Sequence, residues 1–283
     1  MTFHIVKLRL AKLESDVHFP LWKVKLRVED MAIIETIWVL AMLAGMGWWV
    51  KQDAEEYGRF RALTATEDRQ RTYWRWIVQS FVILVGASVV SLWLAGALTE
   101  FGRFPAGFAP AHAALRPEIR EPSGDTLLGM AIGGTVSILT AAFVQWRRLK
   151  RMMAPIDSTI EPMLPRNRRE AAIALVLSVN AGFSEELFFR LALPLLLLDL
   201  TGSLWAAFGL AGIAFGCAHA YQGWKGVLGT MLVGALLTLI YLSRGSLLHV
   251  MALHAAIDVL AFIVRPAVSR RLARLGQRHA VSA

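Results

Sequence analysis

Apolar runs of membrane-spanning length, separated by charged or turn-forming segments, organise this chain. Met31 to Val50 reads as a first membrane helix ending in Trp48 and Trp49 at an expected interface position. Lys51 to Tyr73 is a charged connection, and a second helix follows from about Trp74 to Leu98. Within it the stretch Ile77 to Thr99 has 23 residues without a charge, and Thr126 to Trp146 is a third run of 21. Each is long enough to cross a hydrocarbon core of about 30 Å as an α-helix. A longer stretch, Glu170 to Asp199, leads to the turn Leu200 to Ser203. Helices are then expected over Leu204 to Ala220, Gly226 to Leu242 and Leu247 to Val264, joined by turns at Tyr221 to Lys225 and Ser243 to Ser246. The pattern predicts an all-α polytopic membrane helix bundle of about seven to eight transmembrane helices.

Four regions follow from it. Residues 1–30 form a surface segment, residues 31–169 membrane helices and loops, residues 170–264 a membrane core that holds the polar motifs, and residues 265–283 a basic tail. Composition agrees: 56% of the 283 residues are hydrophobic and 18% charged, with mean hydropathy +0.50, too apolar for a soluble domain of this size. The net charge of +9 is carried by connections and tails rather than by a patch interleaved with aromatics. It therefore reads as a topology signal and as contacts to membrane lipid, and no nucleic-acid partner is expected. Lys51 to Tyr73, Arg147 to Arg169 with seven basic residues, and the tail with five arginines are assigned to the cytoplasmic side. Thr99 to Asp125, with four prolines, is a loop on the opposite face. Simple alternation puts residues 1–30 outside despite six basic residues, so either the first helix does not fully cross or translation starts at Met31. No cleaved signal peptide is evident. The single cysteine, Cys217, excludes an internal disulfide and a cysteine metal cluster.

Against this apolar background Glu185, Glu186 and Arg190 need a reason, because a charge at mid-bilayer costs roughly 2.5–3.5 kcal/mol. Glu186 and Arg190 are spaced to pair on one helix face, whereas Glu185 projects about 100° away with no obvious local partner. Further ionisable residues occupy later helices: His219 after Phe215, then His254 and Asp258, which share a face. Glu185 and His219 stand at similar distances on either side of the turn near Gly202, so an antiparallel hairpin brings them to one level, ~25 Å from the turn. His254 and Asp258 reach the same layer. Such a set suits hydrolysis, with a carboxylate and an imidazole taking a proton from water. The remaining imidazole and carboxylate then either hold the oxyanion or complete a divalent metal site, such as zinc, with Glu185, His219, His254 and Asp258 as its ligands. No His-Glu-x-x-His motif, nucleophile elbow or phosphate loop is present.

Glu185-Glu186-Leu-Phe-Phe-Arg190, Phe215-Gly-Cys-Ala-His219 and His254-Ala-Ala-Ile-Asp258, in that order, resemble the three motifs of the CAAX protease and bacteriocin-processing (CPBP, Abi) family. The resemblance covers about Ala171 to Val264; the first 170 residues look generic. It implies an intramembrane endopeptidase of a bacterial cytoplasmic membrane, acting on a membrane-associated peptide or protein. By the same resemblance Glu185 is the general base with His219 beside it, His254 and Asp258 stabilise the oxyanion, and Glu186, Arg190 and Phe215 are supporting residues. The resemblance assigns no cofactor for certain and leaves the hydrolase either glutamate-dependent or dependent on a divalent metal such as zinc. The last motif position is often Asn, and Asp258 can donate a hydrogen bond only when protonated. The competing reading is a catalytically silent adaptor or self-immunity protein of the same fold. His249 faces away from the motif, Cys217 is a packing residue, Asn180, Gly182 and Pro194 are candidate bends, and Glu35 is expected to snorkel to the interface.

Overall fold

The computed structural model describes residues 28–115 and 160–271. The expectations for residues 1–27, for the helix Thr126 to Trp146 and for the end of the tail lie outside these. Helix α1 spans Val28–Arg61 and α2 Thr66–Leu94. The charged connection expected over Lys51 to Tyr73 is thus mostly helix, and the link shrinks to residues 62–65. Two causes act together: Lys, Gln, Glu and Arg are good helix formers, and Tyr57 and Phe60 of α1 bury themselves against Tyr73 and Ile77 of α2.

After α2 come two 3₁₀ turns, Leu98–Glu100 and Ala106–Phe108, and the short helix α3, Ala109–Leu115. They cover one end of the bundle: Phe108 is fully buried, and His112 Nδ1 donates to Leu242 O at 2.6 Å. The segment that carries the polar motifs begins with α4, Arg168–Glu186, started by Asn167, whose side chain accepts from Glu170 N. A π-helical segment, Leu187–Ala192, carries α4 into α5, Leu193–Thr201. Departure from α geometry therefore comes after Glu186 and not at Asn180 or Gly182, and Pro194 sits where the α-helix resumes. Helices α6, Leu204–Cys217, and α7, Gly223–Arg244, follow. Last comes α8, Leu247–Val259, extended by a second π segment, Leu260–Val264. Gly202 and Gly245, at φ 65° and 69°, close α5 and α7 in the left-handed conformation that glycine tolerates best.

Among the described residues five helices are long and apolar enough to cross a membrane, and α6 is a shorter apolar one. The protein is an all-α polytopic membrane bundle, coated by exposed apolar side chains such as Leu40, Val82, Leu232 and Leu248. Glu35 departs from expectation: it is 7% exposed, buried inside the bundle rather than snorkelling.

At the end opposite α3, Arg69 ties three chain segments together. Its guanidinium reaches Glu170 at 3.3 Å with both side chains fully buried, and donates to Pro162 O and Leu164 O. Arg270 reaches Pro165 O at 3.0 Å at the same end. The start of α2, the segment before α4 and the start of the tail therefore share one end of the bundle, in line with the common side read from their basic residues.

Candidate active site

Helix α4 packs most extensively against α8 and α2, and Gly182 allows the first of these contacts. A Cβ there would come within 2.6 Å of Met251 O and 2.9 Å of Ala255, closer than side chains are ever packed. One turn further on, this close crossing puts Glu186 of α4 beside the imidazole of α8. Asn180 fixes α4 to α2 by donating to Ser80 Oγ at 2.8 Å.

Glu185 and Glu186 then find different partners. Glu186 is fully buried; its Oε1 accepts a 2.6 Å hydrogen bond from His254 Nδ1 and lies 3.1 Å from Arg190 Nη1. Arg190 is held from behind by Gly234 O, at 3.4 Å, and its guanidinium lies 4.2 Å over the Phe215 ring. The pairing of Glu186 with Arg190 was expected; the bond to His254 was not. It makes Glu186 the residue that fixes the imidazole and leaves Nε2 of His254 facing Asp258 Oδ2 at 3.8 Å.

Glu185 turns to His219, with Oε2 4.0 Å from Nε2. His219 lies just beyond the last turn of α6 and not inside a helix continuing to Ala220. Its Nδ1 is 2.9 Å from Phe215 O, and because a carbonyl can only accept, Nδ1 carries a proton; in the neutral ring Nε2 then presents its lone pair on the side of Glu185. Phe215, buried, separates the two imidazoles, with ring centroids 5.0 Å from His219 and 6.1 Å from His254.

Glu185, His219, His254 and Asp258 all line one cavity of about 420 Å³. Its wall is otherwise largely apolar. The convergence on one space expected from residue spacing is thus seen for all four. His249 and Cys217 are exposed and do not line it. The donor set does not fit a metal: among the described residues no three His, Cys, Asp or Glu side chains are gathered as a metal-holding group. Instead they form two separate carboxylate and imidazole pairs.

The N-terminal helices are not generic with respect to this cavity. Asp53 and Tyr57 of α1, Tyr73 and Trp76 of α2, and Tyr221 in the turn after His219 all contribute to the wall. The i,i+4 spacing of Asp53 and Tyr57 was the available signal, hidden by their place in a charged stretch read as a connection.

Residues 167–260 match the model of the family described as type II CAAX prenyl endopeptidase Rce1-like. Searches of curated proteins and of solved structures give no match. The matched residues include both imidazoles and the carboxylates of α4 and α8, while Asp53 and Tyr57 fall outside them. Over this segment, a third of the chain that closes two residues after Asp258, the chain is similar to the Rce1-like type II CAAX prenyl endopeptidases.

Proposed function

We propose that the protein is an intramembrane endopeptidase of a cytoplasmic membrane that cleaves a membrane-associated peptide or protein with water activated by Glu185 and His219. The observation that carries this reading is the 4.0 Å between Glu185 Oε2 and His219 Nε2. Both atoms are acceptors, the first as a carboxylate oxygen and the second because Nδ1 holds the ring proton. One water can donate a hydrogen to each: two legs of about 2.8 Å ending 4.0 Å apart open an angle of about 90°, near that between its O–H bonds. The water's lone pairs then point away from both groups, toward a peptide carbonyl carbon.

As the water oxygen bonds to that carbon, Glu185 takes its proton and the carbonyl oxygen takes up negative charge. The proton is then delivered to the amide nitrogen while the C–N bond breaks, giving a carboxyl and an amine terminus. His254, held at Nδ1 by Glu186, presents Nε2 to the cavity and donates from it to the oxyanion when the ring carries both protons. Asp258, when ionised, only accepts, and so orients His254 rather than holding the oxyanion itself.

The test is cleavage of a membrane-tethered peptide library by reconstituted wild type, Glu185→Ala and His219→Ala. Loss of cleavage by roughly a hundredfold or more in both variants, with the fold retained, is expected. Equal cleavage by all three removes the assigned roles. No cleavage by any of them leaves the silent adaptor or self-immunity reading standing.

A further inference from the structure

Hydrolysis by Glu185 and His219 needs a donor for the developing oxyanion, and the residue at the last motif position supplies one poorly. Asp258 is an acceptor when ionised, and His254 donates from Nε2 only as a cation. A neutral donor that is held in place and faces the same space would complete the site.

Tyr221 has these properties. It lines the cavity two residues after His219, in the 3₁₀ turn Ala220–Gln222 that Gly223 closes at φ 76°. Its ring is clamped from two sides. Tyr57 of α1 meets it edge-on at 5.4 Å between centroids, and the His219 ring lies 6.0 Å away at an interplanar angle of 31°. The hydroxyl accepts from Gln222 Nε2 at 3.0 Å. That bond uses an oxygen lone pair and leaves the phenolic proton free to be given elsewhere, and among the described residues no hydrogen bond uses it. Three other hydroxyls in the wall are already committed: Tyr73 donates to Met163 O, Ser80 to Trp76 O and Ser178 to Ala174 O. Asp53, Glu185 and Asp258, from three different helices, line the same cavity as Tyr221.

We infer that Tyr221 is a further catalytic residue, whose O–H donates to the carbonyl oxygen of the scissile peptide as that oxygen becomes negative. The inference rests on the hydrolytic reading above. It also gives α1 a part in the chemistry, since Tyr57 holds the ring that carries the donor, and it offsets the Asp at position 258.

The experiment compares wild type, Tyr221→Phe, Glu185→Ala and the protein with 2,3-difluorotyrosine at position 221, reconstituted with a membrane-tethered peptide that wild type cleaves. Tyr221→Phe keeps the ring and its contact with Tyr57. Its kcat should fall by about tenfold to a hundredfold, on the scale of losing one oxyanion donor, with KM changed less than about threefold. A more acidic phenol is a stronger donor, so the difluorotyrosine protein should show a kcat different from wild type with the same thermal unfolding. A structural tyrosine would not respond to phenol acidity. A Tyr221→Phe kcat within about twofold of wild type, or no response to fluorination, overturns the proposal. If Glu185→Ala still cleaves while Tyr221→Phe does not, water activation by Glu185 fails and the tyrosine stands. Absence of cleavage of any library peptide by wild type overturns both.

Discussion

Glu186 Oε1 receives a 2.6 Å hydrogen bond from His254 Nδ1 across a sequence separation of 68 residues, while the neighbouring Glu185 faces His219 instead. Successive helix positions diverge by about 100°, so two adjacent carboxylates can serve two imidazoles from two other helices. One pair is open to the cavity. In the other, Glu186 is buried with Arg190 outside the cavity lining and holds the His254 ring, which does line the cavity.

Replacing Glu186 separates these two tasks. Glu186→Gln keeps the volume but leaves the buried Arg190 charge uncompensated, which costs about 3–5 kcal/mol when one partner of a buried pair is removed. In the double variant Glu186→Leu/Arg190→Met the charge problem disappears and much of that stability returns. Cleavage should stay low in the double variant, because His254 has lost the group that orients it. Denaturant unfolding and kcat measured on the same preparations decide the matter; a double variant as fast as wild type would reduce Glu186 to a counter-ion for Arg190.

Much of this arrangement is legible in the sequence. Helix period and turn positions suffice to bring Glu185 and His219 to one depth, because a membrane hairpin leaves few other registers. The Glu186 to Arg190 pairing follows from spacing alone. What spacing cannot give is the partner across helices: the bond from His254 to Glu186 depends on the close approach at Gly182, and that depends on Met251 and Ala255 of α8. Tyr57 and Asp53 were lost for another reason. Helix α1 continues past the apolar run, and charge marks the end of the hydrocarbon, not the end of the helix. Nor does sequence reveal that Arg69 and Glu170, 101 residues apart, pair in the interior.

That second buried pair makes a separate prediction. Arg69 uses its planar fork on Glu170, Pro162 O, Leu164 O and Tyr73 at once. Lysine brings one compact charge and cannot satisfy four acceptors, so Arg69→Lys should destabilise by about 2–5 kcal/mol. Because Arg69 does not line the cavity, kcat per folded molecule should be unchanged at a temperature where the variant is folded. Thermal unfolding with active-site titration checks both parts, and a stable variant with impaired kcat would contradict this division of labour.

Chelation addresses the donor set. Among the described residues no three His, Cys, Asp or Glu side chains are gathered as a metal-holding group, so the set does not make the three-ligand arrangement that catalytic zinc uses. Cleavage by wild type should persist within about twofold after EDTA or 1,10-phenanthroline followed by gel filtration into metal-free buffer. Activity lost on chelation and restored by stoichiometric zinc would show that the catalytic form gathers its ligands differently.

The sharpest test of how the fold makes the site is a single methyl group. Gly182→Ala would bring its Cβ against Met251 O and Ala255, which are main-chain and methyl atoms with no freedom to swing aside. Helix α8 must then move away from α4, at a cost of about 1–3 kcal/mol for overpacking. The same movement draws His254 from Glu186, so kcat should fall with stability. Gly209→Ala in α6 is the matched control: a Cβ there meets nothing within 4 Å, and the gain in helix propensity, up to about 1 kcal/mol, makes that variant neutral or slightly more stable. Thermal unfolding and cleavage rates of the two variants should therefore diverge in opposite directions. Wild-type stability and rate in Gly182→Ala would mean that the α4 and α8 crossing tolerates a methyl, and that the bond between Glu186 and His254 is not set by it.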